Sequence, residues 1–386
     1  MKILIIANGY PNKHDPQWGC FEKDQAVALK NLGHDVCILY IDKRFRRYWR
    51  KTGVKHFTEN GISVFGIFWF PMLGLKNIAP KFHFRLVTLM MGKVFKNVLK
   101  HWGKPDVIYA HYMYNIAFAT KLKEKYNIPL VGMEHWSELT KSNLSPLLRY
   151  WGEAAYTKAD KLLAVSESLQ SHIYRHFGKE STVVYDMLGQ EFVSADVKKR
   201  DINQPFRFIA VGSLLPIKSF DLLIKAYARS KLSNAGCTLS IIGGGAEFKN
   251  LENIITSQNL LGKVFLLGRK TKHDIIEMLS NCHVYVLSSH AETFGVACIE
   301  ALSQGLPAIA TKCGGPEEFI NADNGILVPT EDVNALSEAM VNMYNNYETY
   351  DSVAIAEECK RRFAPQVIAE QLTRIFEEVV NNQNKI

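Results

Sequence analysis

The chain opens on an apolar run, Lys2–Asn8, closed by Asn8-Gly9 and by the turn-rich stretch Tyr10-Pro11-Asn12-Lys13-His14-Asp15-Pro16. A short apolar run bounded by turn formers predicts a buried strand. A helical pattern follows from about Phe21 to Leu32 and stops at Gly33, and His34–Ile41 reads as a second strand. Strand, loop, helix and strand make the βαβ unit of a parallel sheet. The alternation restarts with Phe206–Val211 as strand, Ser219–Ser230 as helix and Thr238–Ile242 as strand. It continues through the strands Val264–Leu267 and Val284–Ser288, a helix over Thr293–Gln304 and a strand at Pro307–Thr311. Two doubly wound α/β domains are therefore predicted, 1–192 and 205–364, joined by a polar, aperiodic linker over 193–204. The tail, 365–386, carries a helical pattern over Pro365–Asn382 that can pack on either domain.

Composition narrows the class. At 386 residues, with 47% hydrophobic and 22% charged positions, two ordinary globular domains with full cores are expected. The seven cysteines are an odd number, none in a CxxC or Cys/His ligand spacing, which reads as buried thiols in a reducing compartment. The apolar stretch at Ile3–Ala7 is too short for a signal peptide, and no apolar run approaches the roughly 18 residues of a spanning helix. A cytoplasmic protein is expected. Charge is uneven: residues 1–180 carry 27 Lys/Arg against 14 Asp/Glu, while the remainder is net acidic. Such asymmetry points to a polyanionic partner for the N-terminal half.

The densest chemistry lies at Ser288–Gln304, where a strand ends, a polar loop follows and a helix is expected to start near Thr293. A helix start offers free N–H groups and partial positive charge, suited to phosphate. Glu292 precedes it and Glu300 sits about two turns in, roughly 10–12 Å further at 1.5 Å per residue. Taken alone, Glu292 reads equally as a helix cap and Glu300 as a solvated helix residue. Gly243-Gly244-Gly245 closes a strand and lets a ligand or another backbone approach. Lys218 stands near a helix start, where an ammonium can neutralise a diphosphate; as a lone lysine it would be solvated. Gly314-Gly315 adds another turn at a strand end, where doubly wound sheets bind ligands.

In this order these segments resemble the retaining glycosyltransferases of family four, most specifically over Phe206–Val328 with its Glu-x7-Glu pattern, glycine turn and lysine loop. Ala159–Ser166 resembles the strand closing the family's first domain, and Leu32–Val36 its first helix–strand junction. The resemblance implies the GT-B fold, two Rossmann-like doubly wound domains facing each other across a cleft, with the acceptor on the N-terminal side. It implies transfer of a sugar, of hexosyl type, from a nucleotide-sugar donor to a glycan or lipid-linked acceptor in surface polysaccharide or glycoconjugate synthesis. No metal or other cofactor is implied. Residue by residue, Glu292 matches the glutamate on the donor sugar and Glu300 the one on the ribose hydroxyls. The backbone of Thr293, Phe294, Gly295 and Val296 matches the diphosphate loop, and Lys218 the phosphate lysine. Gly19 resembles the N-domain glycine at the diphosphate and His135 the histidine beside the sugar.

Two positions depart from the pattern. Family members often carry Arg where this chain has Ser213, which removes one positive charge; Arg269 or Lys270 could compensate, though the resemblance places Arg269 rather near the base. Asp186 stands where asparagine is common. Because Glu292 is assigned to donor hydroxyls, a same-face reaction within an ion pair is preferred over an enzyme nucleophile.

An anionic membrane surface is the expected N-domain partner. Lys43–Lys51 sets three aromatics among six cations; Ile62–Leu75 and the basic stretch Lys81–Lys104, with Phe84, Val87, Met91, Val94, Phe95 and Val98 at helical spacing, suit an interface. The alternative is a solvated basic face over ordinary core. No nucleic-acid recognition motif is present. Competing functions are a GT-B epimerase or phosphorylase and a non-catalytic sugar-binding protein; Asn8-Gly9-Tyr10-Pro11 lacks the GxGxxG of a dinucleotide dehydrogenase.

Overall fold

The computed structural model describes residues 1–42, 44, 51–69, 78–198, 200 and 204–383. It divides into two compact units, one formed by Met1–Met187 with Pro365–Ile386 and the other by Leu188–Ala364. Both are sheets of mainly parallel strands dressed with helices, the arrangement that runs of Val, Ile and Leu buried on both faces require.

The first unit holds β1 (Lys2–Ala7), β2 (Asp35–Asp42), β3 (Gly53–Glu59), β4 (Ile62–Phe68), β5 (Val107–His111), β6 (Leu130–Glu134), β7 (Lys161–Ala164) and β8 (Thr182–Val183). Their order is β3-β4-β2-β1-β5-β6-β7-β8, parallel throughout except for the β3–β4 hairpin. Asn60 and Gly61 turn that hairpin, both at positive φ (50° and 69°), the conformation that a tight two-residue turn demands. Ile62–Phe68, expected to be part of a membrane-facing stretch, is instead a core strand between β3 and β2, with Ile62, Val64, Phe65 and Ile67 at most 2% exposed. The expected interfacial periodicity of 81–104 is likewise core. Val87, Met91, Val94, Phe95 and Val98 are buried under the helix Pro80–His101, and Phe84 packs on Phe118 and Trp151.

Of the basic run 43–51, Lys43 and Phe45–Arg50 lie outside the described residues. Arg44 is occupied within the unit, with its guanidinium over the Trp18 ring and 3.3 Å from both Asp15 and Asp42. The terminal helix Pro365–Gln383 belongs to this unit. It packs on the helix Cys20–Asn31 and against Tyr109 through Phe376, and Gln371 donates to the Val183 carbonyl at 3.1 Å.

The second unit holds β9 (Arg207–Val211), β10 (Thr238–Ile242), β11 (Val264–Leu266), β12 (Val284–Leu287), β13 (Ala308–Thr311) and β14 (Gly325–Val328), in the order β11-β10-β9-β12-β13-β14 and all parallel. The order reverses direction between β9 and β12, the switch point where open α/β sheets bind ligands. Its core gathers Phe208, Leu223, Tyr227, Ile241, Val286, Ile309 and Met340 between the sheet and its helices. The unit begins at Leu188, so the region read as a linker falls inside it, and Gln190–Ser194 forms a short helix.

Candidate active site

In the second unit the loops leaving β9 and β12 meet. After β9 the chain makes one 3-10 turn, Pro216–Lys218, and then bends through Ser219 (φ 48°) into the helix Phe220–Ser230. The Ser288 hydroxyl donates to the Lys218 carbonyl at 2.9 Å and the His290 N–H to the Ile217 carbonyl at 2.9 Å. So held, Lys218 Nζ donates to Glu292 Oε1 at 2.5 Å, and the Ser289 hydroxyl donates to the same oxygen at 2.7 Å. The two charged side chains are 27% and 12% exposed, enough for a ligand to reach the ammonium. Nothing in the local sequence shows this pair, because its members lie 74 residues apart.

Glu292 is not a helix cap. Its N–H donates to the Cys313 carbonyl at 2.8 Å and its own carbonyl accepts from Gly315 N–H at 3.1 Å, a one-residue parallel bridge to the turn after β13. The helix starts at Val296 rather than near Thr293, with Gly295 at φ 104° as its N-cap. Close packing explains the delay. A Cβ on Gly315 would lie 2.3 Å from Phe294 Cα and carbonyl oxygen, so Thr293–Gly295 cross that glycine as an extended turn. The Phe294 ring is buried against Phe319 and Phe363, leaving only backbone to face a ligand. Glu300 is thus one turn into the helix Val296–Ser303, half-buried, and the reckoning of two helical turns from Glu292 does not hold.

The triple glycine serves backbone packing. A Cβ on Gly243 (φ 154°) would fall 1.8 Å from the Gly212 carbonyl oxygen, and one on Gly245 2.2 Å from that of Leu214. Leu214 N–H donates to the Gly244 carbonyl at 3.2 Å and Gly212 N–H to that of Ile242 at 2.9 Å, so the loops after β9 and β10 are stitched together. Gly244 lies beside the Arg269 side chain, and a Cβ there would be 3.0 Å from its Nε. Ser213, Arg269 and Lys270 are exposed.

In the first unit Gly19 (φ 78°) caps the helix Cys20–Asn31, and a Cβ on it would meet the Gly9 carbonyl oxygen at 2.3 Å. His135 follows β6. Its Nδ1 lies 3.3 Å from Asp186 Oδ1 and its Nε2 3.0 Å from His111 Nδ1, with the two imidazoles stacked at 5.2 Å. Beside them Glu22 accepts Asn8 N–H at 2.8 Å, and Glu134 accepts the N–H of His135 and Trp136, both at 3.0 Å. Burial pulls His135 toward the neutral form, but Asp186, followed by Glu22 and Glu134, outweighs it and raises its pKa. Burial, and then His135, hold His111 well below the ordinary histidine value. Burial raises both glutamates. Tyr112, next to His111, takes φ 68° and ψ 142°, a costly conformation for a non-glycine residue. Asp186 was legible only as a departure, and Glu22, His111 and Tyr112 carried no sequence signal.

Two family models match the chain. Glycosyltransferase Family 4 covers residues 23–186, and Glycosyl transferases group 1 covers 194–358. The chain belongs to the family-four glycosyltransferases. Among its relatives, an uncharacterized glycosyltransferase of Methanocaldococcus jannaschii is 26% identical over 79% of this chain and 85% of its own length. The N-acetyl-alpha-D-glucosaminyl L-malate synthase of Bacillus anthracis is 22% identical over 99% of this chain and 98% of its own length. Among solved structures, HepE of Anabaena in complex with UDP-glucose superposes with a TM-score of 0.72 at 20% identity, covering 98% of this chain and all of that one. This glycosyltransferase thus has the GT-B architecture of two Rossmann-like domains. No helix among its described residues is long and apolar enough to cross a membrane.

Proposed function

We propose that the glycosyltransferase moves a hexosyl group from a nucleoside-diphosphate sugar to a glycan or lipid-linked acceptor, with retention of configuration and without a metal ion. The observation that carries this reading is the meeting of Lys218 and Glu292 at the switch point of the second unit, beside the Gly295-capped helix. In this reading the helix start and Lys218 take the diphosphate, Glu300 the ribose, and Glu292 and His135 the sugar. Charge growing on the leaving diphosphate is met by fixed N–H groups and by the ammonium, which the donor draws away from Glu292. The freed carboxylate then accepts from sugar hydroxyls, so the ligand-free ion pair keeps each partner placed. The HepE complex, of the same fold, contains UDP-glucose.

The test is transfer from a panel of nucleotide sugars, with excess EDTA present and the anomeric configuration of the product read by NMR. Retained configuration with EDTA-insensitive turnover is expected. Inversion, or loss of activity rescued by Mg²⁺ or Mn²⁺, overturns the corresponding part.

Membrane docking belongs to the same proposal, on a face different from the buried periodic one. The helix Pro80–His101 has no acidic residue, and its Lys81, Arg85, Lys93, Lys96 and Lys100 are exposed. Phe82 is 58% exposed, Leu89 70% and the preceding Ile78 84%. Apolar side chains amid cations suit an anionic headgroup layer, each cation contributing about 1 kcal/mol. Co-sedimentation with anionic but not neutral vesicles, weakened by salt and by Phe82→Ser with Leu89→Ser, is expected. No sedimentation at low salt would leave the helix as a solvated face.

A further inference from the structure

The cluster around His135 contains more charge than a positioning role for one histidine requires. Its members come from several elements at the C-terminal ends of parallel strands: Glu22 from the helix Cys20–Asn31, His111 and Tyr112 from the end of β5, Glu134 and His135 from the end of β6, and Asp186 from the segment after β8. Both ring nitrogens of His135 face partners inside the unit: Nδ1 lies at ion-pair distance from Asp186, 3.3 Å, and Nε2 is hydrogen-bonded to His111 at 3.0 Å. Asp186 Oδ1 is buried with no hydrogen-bond partner among the described residues, so the imidazole 3.3 Å away is the group that can neutralise it. An uncompensated buried carboxylate is costly, and a charged partner is the ordinary resolution. His111, fully buried, fits the neutral role, receiving the Nε2–H of His135 on its own Nδ1.

We propose that Asp186 is a positioning residue of the transfer reaction, holding His135 as a rigid imidazolium by an ion pair, with both ring nitrogens turned toward partners inside the protein. This rests on the reading that His135 acts on the donor sugar. It changes what His135 does there: a ring with no free lone pair is no general base, and it presents a fixed positive edge through its C–H groups. The substitution of an acid for the asparagine common at position 186 thereby gains a physical account. The amide would leave the ring neutral, and the carboxylate charges it. The charged groups acting on the ring are Asp186 from beyond β8, Glu22 from the helix Cys20–Asn31 and Glu134 from its own strand. His111 and Tyr112 of β5 complete its surroundings.

The experiment is ¹⁵N NMR of the full chain with labelled histidine, His135 being assigned by its loss in His135→Gln. At pH 7.5 both His135 nitrogens should be protonated. Asp186→Asn should lower the titration midpoint by about one pH unit or more, a tenfold or larger shift in the protonation equilibrium. Asp186→Glu should restore most of it. If Asp186→Asn does not fold, Glu22→Gln should lower the midpoint by a smaller step with Asp186 intact. A His135 already neutral at pH 7.5, or a midpoint unmoved by these variants, overturns the proposal whether or not a donor has been found. With a donor in hand, kcat of Asp186→Asn should acquire a pH dependence near neutrality that the native enzyme lacks, with KM nearly unchanged. A shifted midpoint with an unaltered kcat profile would remove Asp186 from the reaction and count against the sugar-contacting role of His135, leaving the Lys218–Glu292 site untouched.

Discussion

The strand-end edges of the two units handle charge in opposite ways. In the second unit Lys218 and Glu292 form a two-membered pair, partly exposed and hung on loops that glycines clamp to one another. In the first unit Glu22, Glu134, His135 and Asp186 are largely sunk among His111, Tyr109 and Tyr112. A reachable pair can exchange partners when a ligand arrives, whereas a sunken cluster keeps its partners and fixes the charge it presents. The two edges share the same architecture and strand-end placement, so the difference lies in side chains and burial. Fold alone assigns neither role.

The largest effect should come from breaking the exposed pair. Lys218→Ala is expected to lower turnover roughly 10²-fold or more, the scale of one transition-state donor. Glu292→Ala should reduce turnover while leaving the affinity for free nucleotide nearly intact. Steady-state kinetics with nucleotide titration separates the two, and equal losses in both variants would mean that the pair acts only as a scaffold.

Next in size is the glycine clamp beneath that pair. Gly243→Ala places a methyl 1.8 Å from the Gly212 carbonyl oxygen at a φ of 154°. A destabilisation of roughly 3 kcal/mol is expected, near the upper end for single substitutions. Denaturant melts should show it even without ligand. An unchanged midpoint would mean that the loops after β9 and β10 part easily, and the second edge would then be pliable rather than held.

A smaller effect is expected at Glu300. If it accepts ribose hydroxyls, Glu300→Ala loses charged hydrogen bonds worth roughly 1.5–3 kcal/mol, or about 10- to 100-fold in nucleotide affinity. Calorimetry with the free nucleotide reads this directly, and an unaltered affinity would return Glu300 to the role of an ordinary helix residue.

How legible these edges were in the sequence follows from the range of each interaction. The βα alternation is local, so strands such as Thr238–Ile242 appear where their apolar runs predict. Asn60-Gly61 is an equally local hairpin signal, but the aromatic and Pro-broken flank Phe68-Trp69-Phe70-Pro71 gives the neighbouring run the look of a surface segment, and only the pairing on both sides makes it β4. Gly295 could have marked the true helix start, had the close crossing of Phe294 and Gly315 been visible. The Lys218–Glu292 and His135–Asp186 contacts join residues 74 and 51 positions apart, each pair brought together by the strand order of its own unit. No periodicity or spacing encodes such a contact. Asp186 and His135 each stand out in the sequence, and their pairing does not.

The smallest expected effect concerns pH, and it isolates the sunken edge. His135 has a folded-state pKa above its unfolded value, so the stability it contributes is complete below the unfolded value of about 6.5 and lost as pH rises through the raised one. His111 shifts the other way. Its folded value lies below the unfolded one, so stability rises with pH until about 6.5, where the unfolded histidine has also lost its proton. The two histidines therefore act in adjoining windows: His111 changes stability below about 6.5 and His135 above it. Glu22 and Glu134, both raised by burial, add a decline that begins near the ordinary carboxylate range of about 4.3 and runs in the same direction as His135. The first unit should accordingly lose stability between pH 7 and 9, read as faster hydrogen exchange at the protected amides of β5 and β6 after correction for the intrinsic rate. In His135→Gln this slope should disappear. Equal slopes in the native and variant proteins would mean that His135 does not hold its proton, and the contrast between the two edges would then rest on burial alone.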